Sequence, residues 1–416
     1  MSEAKHRIIV IGAGMVGVAT AIWLQRAGEA VTLIDREGPA AGASYGNAGV
    51  LAAGSVVPVT VPGLIAKAPR MLFDPMQPLF LQWRYLPRLI PFLWRFLAHA
   101  NAKDVERISF GLHDLLADTA DQHRSLAAGT PAERFIHDGD YVYGYKNYAA
   151  YKADAFTWGV RSRRGLPIEE LSGDALRDYD PQLVGRFGFA VRYGRHGMIS
   201  DPGAYITALY DHFIAEGGEF VQATISDLIT ENGAAKAVET DQGVIPAARI
   251  VMTTGAWSQP FARKLGVNVR LEAERGYHLE FVNPNITLRS PTMVTAGKFV
   301  ATPMEGRLRC AGVAEFASAD APPSEAPYRL LEKQTAAIFP DLTYDRIDRW
   351  MGHRPSTTDS LPVIGEAPGA RNVWLGYGHQ HVGLSGGPKT GRWLSQIITG
   401  QTPNEDLSPF AADRAA

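Results

Sequence analysis

The sequence predicts an α/β chain: a Rossmann-like nucleotide-binding domain interrupted by a second, α+β domain. Three observations carry this prediction. A short apolar run, Arg7-Ile-Ile-Val-Ile11, leads straight into Gly12-Ala-Gly14-Met-Val-Gly17 and then into a helical stretch. A second apolar run, Ala30-Val-Thr-Leu-Ile34, ends on Asp35, 21 residues after Gly14. Far downstream, Arg249-Ile-Val-Met-Thr-Thr-Gly255 is another buried-type run ending in glycine, a return to the first sheet.

Composition narrows the function. The 416 residues suggest about two to three domains. Forty-one Lys and Arg against 43 Asp and Glu give a net charge of −2, which excludes the basic field of a nucleic-acid binder. One cysteine, Cys310, forms no internal disulfide and no Cys-rich metal site, as suits a reducing compartment. Glycine is in surplus, at 42 of 416 or about 10% against roughly 7%.

At the N-terminus, Ile8 to Leu24 carries no charge and imitates a signal peptide or a membrane span. Gly12, Gly14 and Gly17 break that reading, and strand, glycine turn and helix replace it. Gly12 allows the tight turn, Gly14 lets backbone approach a pyrophosphate, and Gly17 lets helix pack on strand. The diphosphate would sit on free N–H groups at the helix N-terminus, and Asp35 is placed to accept ribose hydroxyls. Arg36 reads as a solvated arginine. This fingerprint does not separate FAD from NAD. However, no further βα units follow Asp35; instead comes Gly42-Ala-Ser-Tyr-Gly-Asn-Ala-Gly49, a small-residue loop suited to lie against a cofactor.

Residues 58–101 are unusual, and within them 79–97 is aromatic and basic without acids. It suits a membrane interface, or equally a buried, proline-broken helix pair. Val105 to Leu126 has helical periodicity and reads as a surface helix of the inserted domain. Arg134 to Tyr145 is strand-like, Ala153 to Leu176 helical with a break near Gly165, and Gly188 to Tyr193 a strand. Asp201-Pro202 opens a helix through Ile214, with Asp201 as N-cap and Pro202 at its first position. Gly217-Gly218 ends it. A strand then spans Phe220 to Leu228, and Glu231-Asn-Gly233 turns a hairpin.

On the strand Glu274 to Phe281, Tyr277, Leu279 and Phe281 share one face and His278 and Glu280 the other. Tyr277 and His278 are candidates for substrate work, although a lone strand histidine is by default structural. Gly352-His-Arg354-Pro355 holds Arg354 on stiff backbone, suiting a guanidinium that grips a carboxylate. Finally, Asn372 to Arg392 reads as a strand, a glycine loop and a second helix N-terminus, fit for the negative edge of a reduced cofactor. His379 and His381 lack a nearby Cys or acid, so no metal site is expected.

With these motifs in place the chain resembles the D-amino-acid oxidase superfamily of FAD enzymes, particularly bacterial D-amino-acid dehydrogenases and glycine-oxidase-like proteins. The resemblance rests on the N-terminal fingerprint, Ser44-Tyr-Gly-Asn-Ala-Gly49, Arg275-Gly-Tyr-His278, Gly352-His-Arg-Pro355, Asp359-Ser-Leu-Pro-Val-Ile-Gly365 and Gly378-His-Gln-His381. It implies FAD, a discontinuous FAD domain (1–57, 200–256, 340–416) and a substrate domain (58–199, 257–339) with a mixed, mostly antiparallel sheet over the flavin. For the cofactor it implies Gly12, Ala13, Gly14, Met15, Val16, Gly17, Asp35, Arg36, Ala43, Ser44, Asn47, Ala48, Gly49, Ile225, Thr254, Gly255, Gly378, His381, Val382, Gly383 and Leu384. For substrate binding it implies Arg354, Tyr277, Tyr45 and His381, with Tyr277, His278, Arg354 and His379 around the reacting atoms. Gln380 departs from the family pattern, where a second glycine is usual, so substrate identity does not carry over. The implied reaction is hydride transfer from the Cα of an amino acid, a D-amino acid or cyclic imino acid, followed by imine hydrolysis. Three outlets stay open: a quinone or other electron carrier, oxygen, or a role as flavin-binding subunit of a larger assembly. The expected location is cytoplasmic, with a peripheral contact to the inner face of the membrane through 79–97 as the feature to check.

Overall fold

The computed structural model describes residues 7–66, 78–414 and 416. Six strands form one sheet in the order Val363–Glu366, Val373–Tyr377, Arg249–Met252, Ile8–Ile11, Val31–Asp35, Glu219–Gln222. All its pairings are parallel except the first, which is antiparallel. Ile8–Ile11 sits in the middle and is buried along its length, which is why its run is apolar without alternation. The helix Met15–Arg26 packs against both Pro202–Ala215 and Gly383–Ile398 over this sheet. Asp201 caps Pro202–Ala215 as expected, its carboxylate accepting the Ala204 N–H at 3.0 Å.

A second, larger sheet has the order Arg346–Thr357, Leu271–Val282, Arg307–Phe316, Phe299–Met304, Thr292–Val294, Ile136–Tyr145, Phe189–Ile199, Val50–Leu51. Leu79–Leu81 and Ile168–Leu171 add to its edges. Most pairings are antiparallel, and two are parallel: Thr292–Val294 with Ile136–Tyr145, and Leu79–Leu81 with Arg307–Phe316. One face is covered by the helix Glu325–Ile338, over a core that includes Tyr277, Leu279, Phe281 and Cys310. The other face carries Tyr141, Tyr143, Tyr193 and Val300, packed on Val50 and Ala52. A three-stranded meander, Ile225–Glu231, Ala234–Thr240 and Gly243–Pro246, completes the strands.

Several expectations are corrected. Val105 to Leu126 is two helices, Ala102–Leu116 and Thr119–Ala127, and neither belongs to the inserted domain's surface. Ile108, Leu112, Leu115 and Leu126 enter the core of the six-stranded sheet's domain, and Thr119 donates to the Ser385 carbonyl at 2.7 Å. The stretch Ala153 to Leu176 contains the strand Ile168–Leu171 after its Gly165 break. Phe220 to Leu228 is two strands in two sheets, because Ala223 donates to the Asp35 carbonyl at 2.9 Å and ends the first. The boundaries drawn at 57 and 340 also shift: Val50–Leu51 and Arg346–Thr357 are strands of the larger sheet.

Part of 58–101 lies outside the described residues. Within 79–97 the strand Leu79–Leu81 and a 3-10 turn, Trp83–Tyr85, lead into one α-helix, Leu86–Ala98, with Pro91 inside it. Leu89 and Phe92 bury against Phe316, while Ile90 and Trp94 are 54% and 79% exposed. Among the described residues no helix is long and apolar enough to cross a membrane.

Candidate active site

The carboxyl ends of the six-stranded sheet open into a cleft of about 470 Å³, where an open parallel sheet places its ligand. Of the residues expected at the cofactor, Gly12, Gly14, Met15, Val16, Asp35, Arg36, Ala43, Ser44, Asn47, Ile225, Thr254, Gly255, Gly378, Gly383 and Leu384 line it. Ala13, Gly17, Ala48, Gly49, His381 and Val382 are not among the lining residues and stand beside them in sequence. Gly12 has φ +106°, and a Cβ there would lie 2.6 Å from the Thr253 carbonyl oxygen. A Cβ on Gly17 would lie 1.7 Å from the Gly12 oxygen, so helix and turn meet only as glycines.

Two helices begin at this cleft, Met15–Arg26 and Gly383–Ile398. Neither is capped by the side chain of its own N-cap residue or carries an acid in its first turn, and at the first helix only Met15 N is taken, by the Ser44 hydroxyl. Uncapped N–H groups and the positive ends of both dipoles therefore face one cavity, an arrangement that stabilises an anion. Asp35 accepts from Ala13 N at 2.8 Å, Glu37 N at 2.8 Å and Gly38 N at 3.0 Å. A carboxylate has about four acceptor positions, which leaves one for a ribose hydroxyl. Ser44 accepts from Met15 N at 3.0 Å and so ties the 42–49 loop to the glycine turn. Arg36 pairs with Glu37 and lies 4.1 Å from the Trp257 ring centroid, both at the cleft wall.

Arg354 stands above the cleft on the larger sheet, and its neighbours His353 and Pro355 line the cavity. Its guanidinium lies over Gly276, where a Cβ would come within 2.5 Å of it. Nη1 donates to Glu274 at 2.7 Å and to the Val313 carbonyl at 3.3 Å, and Nη2 to the Gly312 carbonyl at 3.3 Å. Ser356 holds the other Glu274 oxygen at 3.1 Å. Of five guanidinium donors, two are left for another acceptor.

The 378–381 loop is laid onto this strand: Gln380 N donates to the Pro355 carbonyl and its side-chain amide to the Thr357 carbonyl, both at 3.1 Å. That side chain is thus held at the cleft wall. The adjacent imidazoles are neutral at physiological pH. His379 is bonded to the Thr390 hydroxyl at 2.9 Å, and burial pushes its pKa down to about 3. His381 is exposed, yet the dense protein around it and the Arg354 charge lower its pKa to about 4.

Arg354 and His381 are not themselves among the residues lining the cleft, and three further expected residues, Tyr277, His278 and Tyr45, are turned away from it. Tyr277 lies on the far face, 1% exposed, edge-on to Tyr328 at 4.9 Å, with its hydroxyl donated to Glu315. Burial and that carboxylate push its pKa up to about 12. His278 faces the nucleotide domain but is stacked on Trp350 at 5.0 Å and bonded to the Gly46 carbonyl at 3.1 Å. Burial, then the Arg309 charge, lowers its pKa to about 3, so it holds the 42–49 loop rather than moving a proton. The Tyr45 ring turns toward Gly203, at the start of the helix Pro202–Ala215. Sequence reasoning missed Glu274, His353 and Trp257. His353 sits edge-on to Trp257 at 5.4 Å, and burial lowers its pKa. His353 lies inside the Gly352-His-Arg354-Pro355 segment and Glu274 at the start of the strand Glu274 to Phe281, but the pairing of Glu274 with Arg354 became visible only through strand register.

Residues 7–397 match a family described as DAO, FAD-dependent oxidoreductase. The chain belongs to this family. This DAO-family chain is 37% identical, over the whole of both sequences, to a D-amino-acid oxidase of Bradyrhizobium diazoefficiens. It is 28% identical to a D-amino acid dehydrogenase of Allorhizobium ampelinum over 99% of each. Among solved structures it resembles glycine oxidase from Bacillus cereus, with TM-score 0.75 at 17% identity over 97% of this chain and 99% of that one. It likewise resembles L-proline dehydrogenase from P. horikoshii, with TM-score 0.73 at 16% identity over 98% and 97%. The DAO-family chain is an FAD-dependent oxidoreductase. Its cleft fits that cofactor, since two uncapped helix ends and a glycine turn that no side chain fits suit a diphosphate and a reduced flavin edge.

Proposed function

We propose that this chain oxidises an amino acid at its α carbon, the amine becoming an imine that water hydrolyses to the 2-oxo acid. FAD, when bound, supplies the two-electron acceptor for the hydrogen leaving Cα. The observation that carries this reading is Arg354, held by Glu274 and two carbonyls beside the cleft with two donors unspent. Those donors suit the substrate carboxylate, and holding it orients Cα. His379 and His381, neutral with pKa values near 3 and 4, suit accepting a hydrogen bond from a substrate amine that arrives uncharged rather than taking its proton. Tyr277 and His278, placed as above, keep structural roles in this reading. Names of relatives that act on D-amino acids support the D series.

In an Arg354→Ala variant the Michaelis constant should rise about 100-fold or more, with flavin still bound. Unchanged substrate binding would remove Arg354 from the role. Anaerobic mixing with D- and L-amino acids, watching the flavin bleach, identifies the substrate.

For the acceptor, a quinone or similar carrier is the reading favoured by the helix Leu86–Ala98. Trp83, Ile90 and Trp94 are exposed beside Arg84 and Arg88, the composition of an interfacial contact. The 37%-identical oxidase favours oxygen instead. Peroxide formation against dye or quinone reduction separates the two, and co-flotation with anionic vesicles tests the contact.

A further inference from the structure

The helix Gly383–Ile398 carries Pro388 in its second turn, where a proline has no N–H to give. The carbonyl four residues back, that of Leu384, therefore lacks its helix partner. It belongs to the turn whose Gly383 and Leu384 line the cofactor cleft. Its donor comes from another helix. His123, fully buried on Thr119–Ala127, sets Nε2 3.0 Å from the Leu384 oxygen. A carbonyl only accepts, so Nε2 carries the proton of the ring. Burial lowers the pKa of His123 to about 4, so the ring is neutral and Nδ1 has no proton. Nδ1 accepts instead from the Tyr205 hydroxyl at 2.8 Å, on the helix Pro202–Ala215. The bonds run one way, from the Tyr205 hydroxyl through the imidazole to the Leu384 carbonyl.

The same face of Thr119–Ala127 holds the next carbonyl. Thr119, one turn before His123, donates to Ser385 at 2.7 Å. The Ser385 hydroxyl in turn donates to the Val50 carbonyl at 3.0 Å and accepts from Ala52 N at 3.1 Å. The first turn of Gly383–Ile398 is thus clamped from outside at two successive carbonyls. The two bonds differ in kind: Lys389 has an N–H for the Ser385 carbonyl, whereas His123 replaces a bond that Pro388 cannot make.

This turn has chemistry to support. Met15–Arg26 follows the glycine fingerprint and suits the diphosphate. That leaves the end of Gly383–Ile398 for the N1–C2=O edge of the flavin, which becomes negative on reduction. A buried carbonyl without a donor is costly, so without His123 the turn rearranges and its N–H groups lose their aim.

We propose that His123 is a positioning residue for the flavin: it supplies the hydrogen bond that Pro388 denies the helix Gly383–Ile398, and so holds the first turn of that helix against the negative edge of the cofactor. FAD in the cleft is required for this role, the amino-acid substrate read above is not, and the experiment uses no substrate.

The test compares FAD holoenzymes of wild type, His123→Leu, His123→Gln, the double variant His123→Leu with Pro388→Ala, and Leu126→Ala. Sulfite is the probe, because its addition to N5 of oxidised flavin puts negative charge on the N1–C2=O edge. Its dissociation constant is read from the bleached visible band, and the two-electron potential from equilibration with a reference dye. His123→Leu should weaken sulfite binding about tenfold and lower the potential by about 30 mV, the same factor in the redox equilibrium. His123→Gln, whose amide can donate from the Nε2 position, should recover most of both. The double variant should recover them too, because Pro388→Ala restores the backbone N–H that Leu384 lacks. Leu126→Ala opens a cavity under the same helix and should lower Tm without moving either reading. Unaltered sulfite affinity and potential in His123→Leu, or equal changes in Leu126→Ala, would make His123 ordinary core and overturn the proposal. So would a double variant that stays as weak as His123→Leu. If His123→Leu does not hold FAD, recovery of FAD in the double variant supports the role, and unaltered readings in Tyr205→Phe, which frees the other tautomer, overturn it.

Discussion

Replacing Tyr277 by Phe removes one hydroxyl from a closed network beneath the larger sheet. That hydroxyl donates to Glu315 and accepts from Ser324 N at 3.2 Å, while Glu315 also takes Arg275 at 3.2 Å and the Ser324 hydroxyl at 2.5 Å. Glu315 is 2% exposed, so water does not replace the lost donor. A hydrogen bond to a buried charged group is worth about 1.5–3 kcal/mol. For domains of this size each kcal/mol moves Tm by roughly 2–4 °C. The expected loss is therefore about 3–12 °C, read by tryptophan fluorescence or calorimetry on the FAD-loaded protein. Over the same comparison KM and kcat should change less than about twofold, because Tyr277 lies across the sheet from the cleft. A KM raised tenfold at unchanged Tm would refute the placement and restore the tyrosine to the substrate pocket.

Two further outcomes follow from geometry already given. Gly12→Ala puts a Cβ 2.6 Å from the Thr253 carbonyl oxygen at φ +106°, so the purified variant should lose most of its visible flavin absorbance. Full flavin content in that variant would show that the turn can move. Four buried imidazoles have depressed pKa values, His123 and His196 to about 4 and His278 and His379 to about 3, burial being the first cause in each. The unfolded chain takes up their protons near the ordinary value of about 6.5 while the folded chain does not. Stability is therefore complete above that pH and falls toward pH 4 by up to about 1.4 kcal/mol per unit and histidine. Denaturant midpoints at pH 7.5 and 5 check this, and His278→Gln should flatten the slope.

The nucleotide-binding half was legible because its determinants are local. A tight turn, a helix start and an acid at a strand end are written within thirty residues, and the cleft gathers them where expected. The substrate half was legible only to the level of alternation. Tyr277, Leu279 and Phe281 do share one face and His278 the other. Both faces are buried, however, one by the helix Glu325–Ile338 and one toward the nucleotide domain, so hydrophobic pattern carries no information on which face meets substrate. Arg354 stood out by its stiff flanks, but Glu274 is 80 residues distant and meets it only through the pairing of two long strands. The helices at 102–127 show the same limit. An amphipathic stripe announces that something covers it, not what.

Residues 46–54 carry a consequence for how the molecule comes apart. Gly46 and Asn47 are bonded to His278 and Arg309, Ala48 to Thr302, Val50 and Leu51 pair with Met198 and Gly197, and Ser385 holds the same segment from the opposite side. One short strap thus ties the larger sheet to the helix Gly383–Ile398, which packs on the six-stranded sheet, and the two cannot part without releasing it. Melting should be a single cooperative event, and FAD, whose cleft is lined mainly from the six-stranded sheet's domain, should protect the larger sheet to the same degree. A peptide bond cut inside the strap would cost cofactor retention and substrate-side order together. A cut at the exposed Asn232-Gly233 hairpin would cost neither.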